Sequence, residues 1–148
     1  MEASEQALRE KIRLLLGSED LGVLATSGAD AAPYTSLVTF LATGGIEEIY
    51  FATFRSTKKY RNIKDNPKVS LLIDTRKNEP GYLKGSSALT ALGKADTASA
   101  AAAIRGPYLE RFPHLESFID HPGCEFIKIR VLKYILVEGF HEVLELSL

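Results

Sequence analysis

FATFRSTKKYRNIKDNPKVSLLID, residues 51–74, carries both the pattern that decides the fold and the residues that suggest chemistry. Its opening closes a β-branched and aromatic run, EEIYFATF (47–54), which reads as a strand. Residues 55–66 are too polar for a strand and set Tyr60 and Ile63 three apart, which predicts a short helix. Pro67 stops that helix, because proline disfavours helical geometry at the residue before it. KVSLLID (68–74) is a strand again. Arg55, Lys58, Lys59, Arg61, Lys64 and Lys68 belong to this stretch, out of 18 Lys and Arg in the chain, and only Asp65 opposes them before the next strand. Hydroxyls of Thr53, Ser56 and Thr57 stand at the strand-to-helix corner. A strand feeding a helix N-terminus presents unpaired N–H groups and a partial positive charge. Lysines and hydroxyls added there suit a phosphate dianion. A solvated basic helix face is the plain alternative. The Gly-rich loop of nucleoside triphosphatases is absent.

Upstream, Leu8, Ile12, Leu15 and Leu16 share one helical face, which predicts an N-terminal helix over 4–16, capped by Ser4 and ended by Gly17. LGVLATS (21–27), PYTSLVTFLA (33–42) and the 47–54 run follow as strands. Gly28-Ala29-Asp30 and Gly44-Gly45 supply turns, so these three strands are expected to form an antiparallel meander. Downstream, Glu79-Pro80-Gly81 opens a loop, SSALTALGKAD (86–96) is a strand, and 98–110 is a helix interrupted at Gly106-Pro107. In the tail, Ile127, Ile129 and Val131 alternate with charges and YILV is a continuous apolar run. Two more strands fit there. The expected fold is mainly β: a small antiparallel barrel with short helices, its strands at 68–74 and 126–137 central, since closure removes exposed strand edges.

The chain has 148 residues with a formal net charge of −1, a length that suits a single domain over 1–148. That balance argues against a general nucleic-acid or membrane-surface binder. No apolar run approaches the roughly 18 residues of a transmembrane helix. MEASEQALREKIR has no apolar signal core, and a lone cysteine, Cys124, fits a reducing compartment. A cytoplasmic protein is the expectation.

The order Thr53-x-x-x-Thr57-Lys58-Lys59, Asn62-Ile63-x-x-Asn66-Pro67-x-Val69-Ser70-Leu71 resembles the pyridoxamine 5′-phosphate oxidase-like family of FMN-binding split barrels. ATSGADAAPYTSLVTF resembles that family's opening hairpin and SSALTALGKAD its strand ending in Gly-x-Ala, so the likeness runs over 21–96, with a weaker echo in YILVEGF. The resemblance implies a split β-barrel of the FMN-binding type, antiparallel and Greek-key-like. It implies that Thr57, Lys58 and Lys59 hold the FMN phosphate, with Thr53 on the strand before them. The backbone of Ser36, Leu37, Val38 and Thr39 would lie beside the isoalloxazine ring. Ser86 and Ser87, with Ala88, would approach the flavin from either subunit of a homodimer whose FMN sites are at the interface. Thr57 stands where the family usually has Ser, and Lys58 where it often has Arg, losing a bidentate fork while keeping the charge.

The function implied is a cytoplasmic FMN-dependent oxidoreductase acting on an unidentified small molecule, the flavin performing the transfer itself. A complete oxidase of this family carries an Arg-x-His-containing C-terminal segment that GFHEVLELSL lacks, which argues against vitamin B6 oxidation. The alternative is the same barrel binding flavin or haem without turnover or degrading haem, since some haem-degrading split barrels use a C-terminal histidine and His141 is near the end. A deazaflavin is also compatible. Cys124 reads as structural, because zinc needs further ligands at fitting spacing, and no metal site is expected. His114 reads as a surface-turn residue. Tyr34, Tyr60, Tyr82 and Tyr108 read as core or rim aromatics that could also stack on a flavin.

Overall fold

The computed structural model describes residues 3–43, 45–77, 81, 85–99, 101–139 and 141–148. Glu79, Pro80, Tyr82, Gly44 and Phe140, which figure in the sequence reading, lie outside the described residues. Helix α1 spans Ala3–Ser18, so Ser4 lies inside its first turn rather than capping it. Strands β1 (Leu21–Ser27), β2 (Pro33–Thr39), β3 (Leu41–Ala42) and β4 (Glu48–Phe54) follow, then α2 (Lys58–Asp65) and β5 (Lys68–Asp74). After them come β6 (Ser87–Thr97), α3 (Ala101–Arg111), a 3-10 turn at Pro113–Leu115, α4 (Glu116–Ile119), β7 (Cys124–Glu138) and β8 (Glu142–Ser147).

The strands form one antiparallel 8-stranded sheet in the order β2-β1-β5-β6-β7-β4-β3, with β8 added to β7. The expected mainly-β fold with central 68–74 and 126–137 strands is present. The three-strand meander is not. The run 33–42 divides at Phe40, whose ring is fully buried: β2 pairs with β1, while β3 pairs with β4 at the other end of the sheet. One continuous stretch thereby reaches both ends of the strand order, which curls the sheet into a half-barrel around a shared core. The tail also divides later than the pattern suggests. The alternating residues and the YILV run belong to the single 15-residue strand β7, and the second tail strand is β8.

Helix α3 runs through Gly106-Pro107 instead of being interrupted there. Gly106 has no Cβ to meet the proline ring, and Ile104, Tyr108 and Phe112 anchor the segment by burial. The barrel interior is filled by Leu24, Phe40, Ile49, Phe51, Leu71, Leu89, Ile127 and Tyr134 among others, and α1 adds Ile12 and Leu16. Each fully buried aliphatic side chain of this kind contributes about 1.5–3 kcal/mol. A second cluster outside the barrel packs Tyr108, Phe112 and Ile119 against Tyr50 and Phe126. Strand β4 is therefore covered on both faces, with Phe51 inward and Tyr50 outward.

Candidate functional site

The corner between β4 and α2 is built by hydroxyls. Thr57 is the N-cap of α2, with extended backbone and its Oγ1 accepting the Tyr60 N–H at 3.3 Å. The same hydroxyl donates to the Phe54 carbonyl at 2.8 Å and lies 3.0 Å from Thr53 Oγ1. Having given its only proton to Phe54, Thr57 accepts from Thr53. Both hydroxyls are thus engaged in shaping the corner, and Thr53 is buried. Two asparagines seat the rest of α2 on β1. Asn62 Nδ2 donates to Thr26 Oγ1 at 3.1 Å, and Asn66 Nδ2 donates to Ser27 Oγ at 3.0 Å. A Cβ on Gly28 would approach Asn62 Oδ1 to 2.9 Å, so the tight turn after β1 makes room for that contact.

A cleft of about 350 Å³ opens over this corner. It is lined by Leu37, Val38 and Thr39 of β2, Thr53 and Phe54 of β4, and Thr57 and Lys59. Leu21, Ala52, Leu115 and Phe118 complete it. Six of the residues singled out in the sequence, Leu37, Val38, Thr39, Thr53, Thr57 and Lys59, therefore meet at one place. Lys59 is half-buried and has no hydrogen-bond or ion-pair partner among the described residues, and burial pushes its ammonium below the usual lysine value. A desolvated cation at a helix N-terminus, without a carboxylate, is the donor set a phosphate dianion requires. The residues present accordingly fit the phosphate end of FMN, and the apolar walls fit a flat ring.

The other expected residues are elsewhere. The Lys58 ammonium stands over the Tyr34 ring at 5.0 Å and does not line the cleft. Ser36 precedes the cleft residues on β2, and its Oγ is buried without a hydrogen-bond partner among the described residues. Ser87 exchanges hydrogen bonds with Thr75, its N–H donating to Thr75 Oγ1 and its carbonyl accepting the Thr75 N–H. In sheet order it is three strands from β2, roughly 14 Å at usual strand spacing. Ser86 and Ser87 thus do not join the cleft within one chain. A second cleft, of about 500 Å³, shares Leu21 and Leu37 with the first and extends along β1 to Leu72, Asp74 and Arg76.

The basic residues of 55–68 do not act as one patch. Arg55 pairs with Glu125 at 3.2 Å and the Pro122 carbonyl at 2.7 Å, and Arg61 donates to the Ser56 carbonyl. Phe54, Leu115 and Phe118 escaped the sequence reading. Phe54 stacks on Phe118 at 4.5 Å and meets the His121 ring at 4.8 Å in a tilted contact. The alternation of β4 could have flagged Phe54, but a single turn of helix leaves no periodic signal for Leu115 and Phe118. Cys124 is half-buried, its thiol pushed up by burial, and no metal-ligand cluster occurs among the described residues. His114 is exposed, as expected of a surface turn. Tyr108 is buried core and Tyr34 is a partly exposed rim residue. No helix among the described residues is long and apolar enough to cross a membrane.

A curled antiparallel half-barrel with a threonine-capped, lysine-bearing corner beside an apolar cleft defines the split-barrel class. The chain belongs to the pyridoxamine 5′-phosphate oxidase family, whose model matches residues 8–137. No curated protein matches it in sequence. Among solved structures, it superposes on a haem-binding protein from Mycobacterium smegmatis with a TM-score of 0.84 at 23% identity, covering 99% of this chain and 59% of that one. HutZ, the haem storage protein of Vibrio cholerae, gives 0.72 at 19% identity, covering 84% and 89%. General Stress Protein 26 of Bacillus anthracis gives 0.68 at 25% identity, covering 94% and 98%.

Proposed function

We propose that the chain binds FMN in the cleft over the Thr57 corner and acts, as a homodimer, as a flavin-dependent oxidoreductase on a small molecule. The observation that carries this is Lys59: half-buried, without an anionic partner among the described residues, beside a helix start. Its ammonium and the backbone N–H groups at the start of α2 hold the phosphate. Thr57 shapes that start by capping it at the Tyr60 N–H, and Thr53 keeps Thr57 in place. Leu37–Thr39 form one wall for the ring, while Leu115 and Phe118 exclude water from the other side. Bound FMN supplies hydride or electron transfer. Ser86 and Ser87 belong to the site through a second copy, because their own chain holds them away from the cleft.

The absorption spectrum of freshly purified protein, with any released ligand identified by mass, tests this reading. Paired bands of oxidised flavin, weakened by Lys59→Gln, support it. A colourless protein that takes up no added FMN overturns it.

A haem-binding reading is favoured by one observation. His141 Nδ1 is 2.8 Å from the Gly139 carbonyl, which can only accept, so Nδ1 carries the proton and an exposed Nε2 is left to bind a metal. The haem-binding and haem-storage proteins among the structural relatives are in keeping with it. A Soret band on haem addition that disappears in His141→Ala would move the assignment from flavin to haem.

A further inference from the structure

On the outer face of the barrel, at the far end of α2 from Lys59, Lys68 of β5 is directly opposite Lys94 of β6, and Lys94 is directly opposite Arg130 of β7. Residues in register on neighbouring strands put their side chains on the same face, about 4.8 Å apart per strand. Three cations thus stand in a row spanning roughly 10 Å. All three are exposed, and none has an ion-pair partner among the described residues. Like charges directly opposite one another destabilise a sheet, and here two such pairs adjoin.

Two more cations flank the row. Lys64 Nζ donates to Thr97 Oγ1 at 2.8 Å and lies 4.0 Å from the Asp96 carboxylate, and Lys128 lies 3.5 Å from Glu48. Lys64, Lys94, Lys128 and Arg130 line a cleft of about 450 Å³ whose apolar side is Ile63 and Pro67. Asp96 is the acid in that lining among the described residues. Gly93 brings the strands together there: a Cβ on it would come within 2.3 Å of the Arg130 carbonyl oxygen, and the β6–β7 register shifts between Leu92 and Gly93. With the chain at a net charge of −1, this positive field is local rather than global.

We propose that this cleft binds an anion carrying two or more linked phosphoryl groups, either a free oligophosphate or the phosphate tail of a nucleotide. One phosphate reaches two neighbouring cations, whereas the row is longer and Lys64 and Lys128 widen it. Arg130 adds a planar fork that matches phosphate oxygens. The bound anion removes the like-charge repulsion between paired strands, so binding is coupled to sheet stability. The cleft is separate from the Thr57–Lys59 corner, and this proposal does not depend on FMN.

The test is a titration of the full chain, by calorimetry or amide chemical shifts at near-physiological salt, with tripolyphosphate, ATP and orthophosphate. Tripolyphosphate is expected to bind about tenfold or more tighter than orthophosphate, because its charges match several cations at once. Lys94→Gln and Arg130→Gln each weaken it about fivefold or more, both in the parent and in a Lys59→Gln background in which the phosphate-suited corner is disabled. Lys94→Gln melts no lower than the parent, since it removes both like-charge pairs, which separates loss of binding from loss of fold, whereas Arg130 also faces Glu48 across the β4–β7 register. ATP binding more tightly than tripolyphosphate assigns a nucleotide, and equal affinity assigns the phosphate chain alone; both support the site. Absence of saturable binding, unchanged affinity in the Lys94→Gln/Arg130→Gln double variant, or loss through Lys59→Gln instead overturns it. So does a mixed-sequence single-stranded oligonucleotide that outcompetes tripolyphosphate.

Discussion

The phenol oxygen of Tyr108 lies 2.7 Å from Thr39 Oγ1 and donates to the Thr39 carbonyl at 3.1 Å, so a fully buried side chain of α3 holds the hydroxyl and the carbonyl of the strand residue that walls the cleft. With its proton on the carbonyl, Tyr108 accepts from the Thr39 hydroxyl. Tyr108→Phe leaves those groups without a partner and is expected to cost about 1–3 kcal/mol in chemical denaturation. An unchanged unfolding midpoint would show that the bond contributes nothing.

At the corner itself, Thr57→Ala removes the N-cap of α2 and the acceptor for Thr53. Stability is expected to fall by about 0.5–2 kcal/mol, as for other lost caps, while Thr57→Ser stays near the parent. FMN affinity should follow the same order. If Ala and Ser bind FMN alike, the cap has no part in holding the phosphate.

Lys59 makes a pH prediction. Burial lowers its pKa in the folded chain below the usual 10.5. Between the lowered value and 10.5 the unfolded chain binds more protons than the folded one, so the stability of the ligand-free protein rises with pH through that window. Phosphate affinity moves the other way, falling as the ammonium is lost. Measured from neutral pH to about 10.5, both trends should vanish in Lys59→Gln and persist in Lys58→Gln, whose ammonium is over Tyr34 instead.

Two glycines separate packing from propensity. Gly93→Ala forces a Cβ against backbone that cannot yield, and a loss of about 1–3 kcal/mol is expected. Gly17→Ala places its Cβ in open space inside α1, where alanine should raise stability by up to about 1 kcal/mol. Equal effects of the two substitutions in thermal melts would contradict the close approach of β6 to β7.

The proposed homodimer is tested on Leu37, which is 67% exposed although it lines the cleft. Light scattering should give a two-chain mass for the parent and one chain for Leu37→Glu. A single-chain parent would leave Ser86 and Ser87 with no route to the cofactor.

Much of this site was legible before any coordinates. The hydroxyl-rich corner and the stop at Pro67 follow from local rules, because capping and proline geometry act within a few residues, while Asn62 and Asn66 stood out through the family resemblance. The grouping of the basic residues was not. Lys58 and Lys59 are adjacent in sequence yet one stands over Tyr34 and the other enters the cleft, while Lys68 joins Lys94 and Arg130 from two other strands. The expected meander failed for a related reason: nothing local to PYTSLVTFLA shows that β2 and β3 pair with different partners.

Sequence by itself determined which stretches become strand or helix, and where a phosphate-binding corner could form, since periodicity, caps and turn residues are properties of neighbours along the chain. Tertiary structure decided that Phe40 would divide one run between the two ends of the sheet, that Leu115 and Phe118 would complete the cleft, and that Ser87 would be held away from it. Those outcomes depend on pairing and packing between segments far apart in sequence, where burial of the shared core, rather than any local preference, selects the partner.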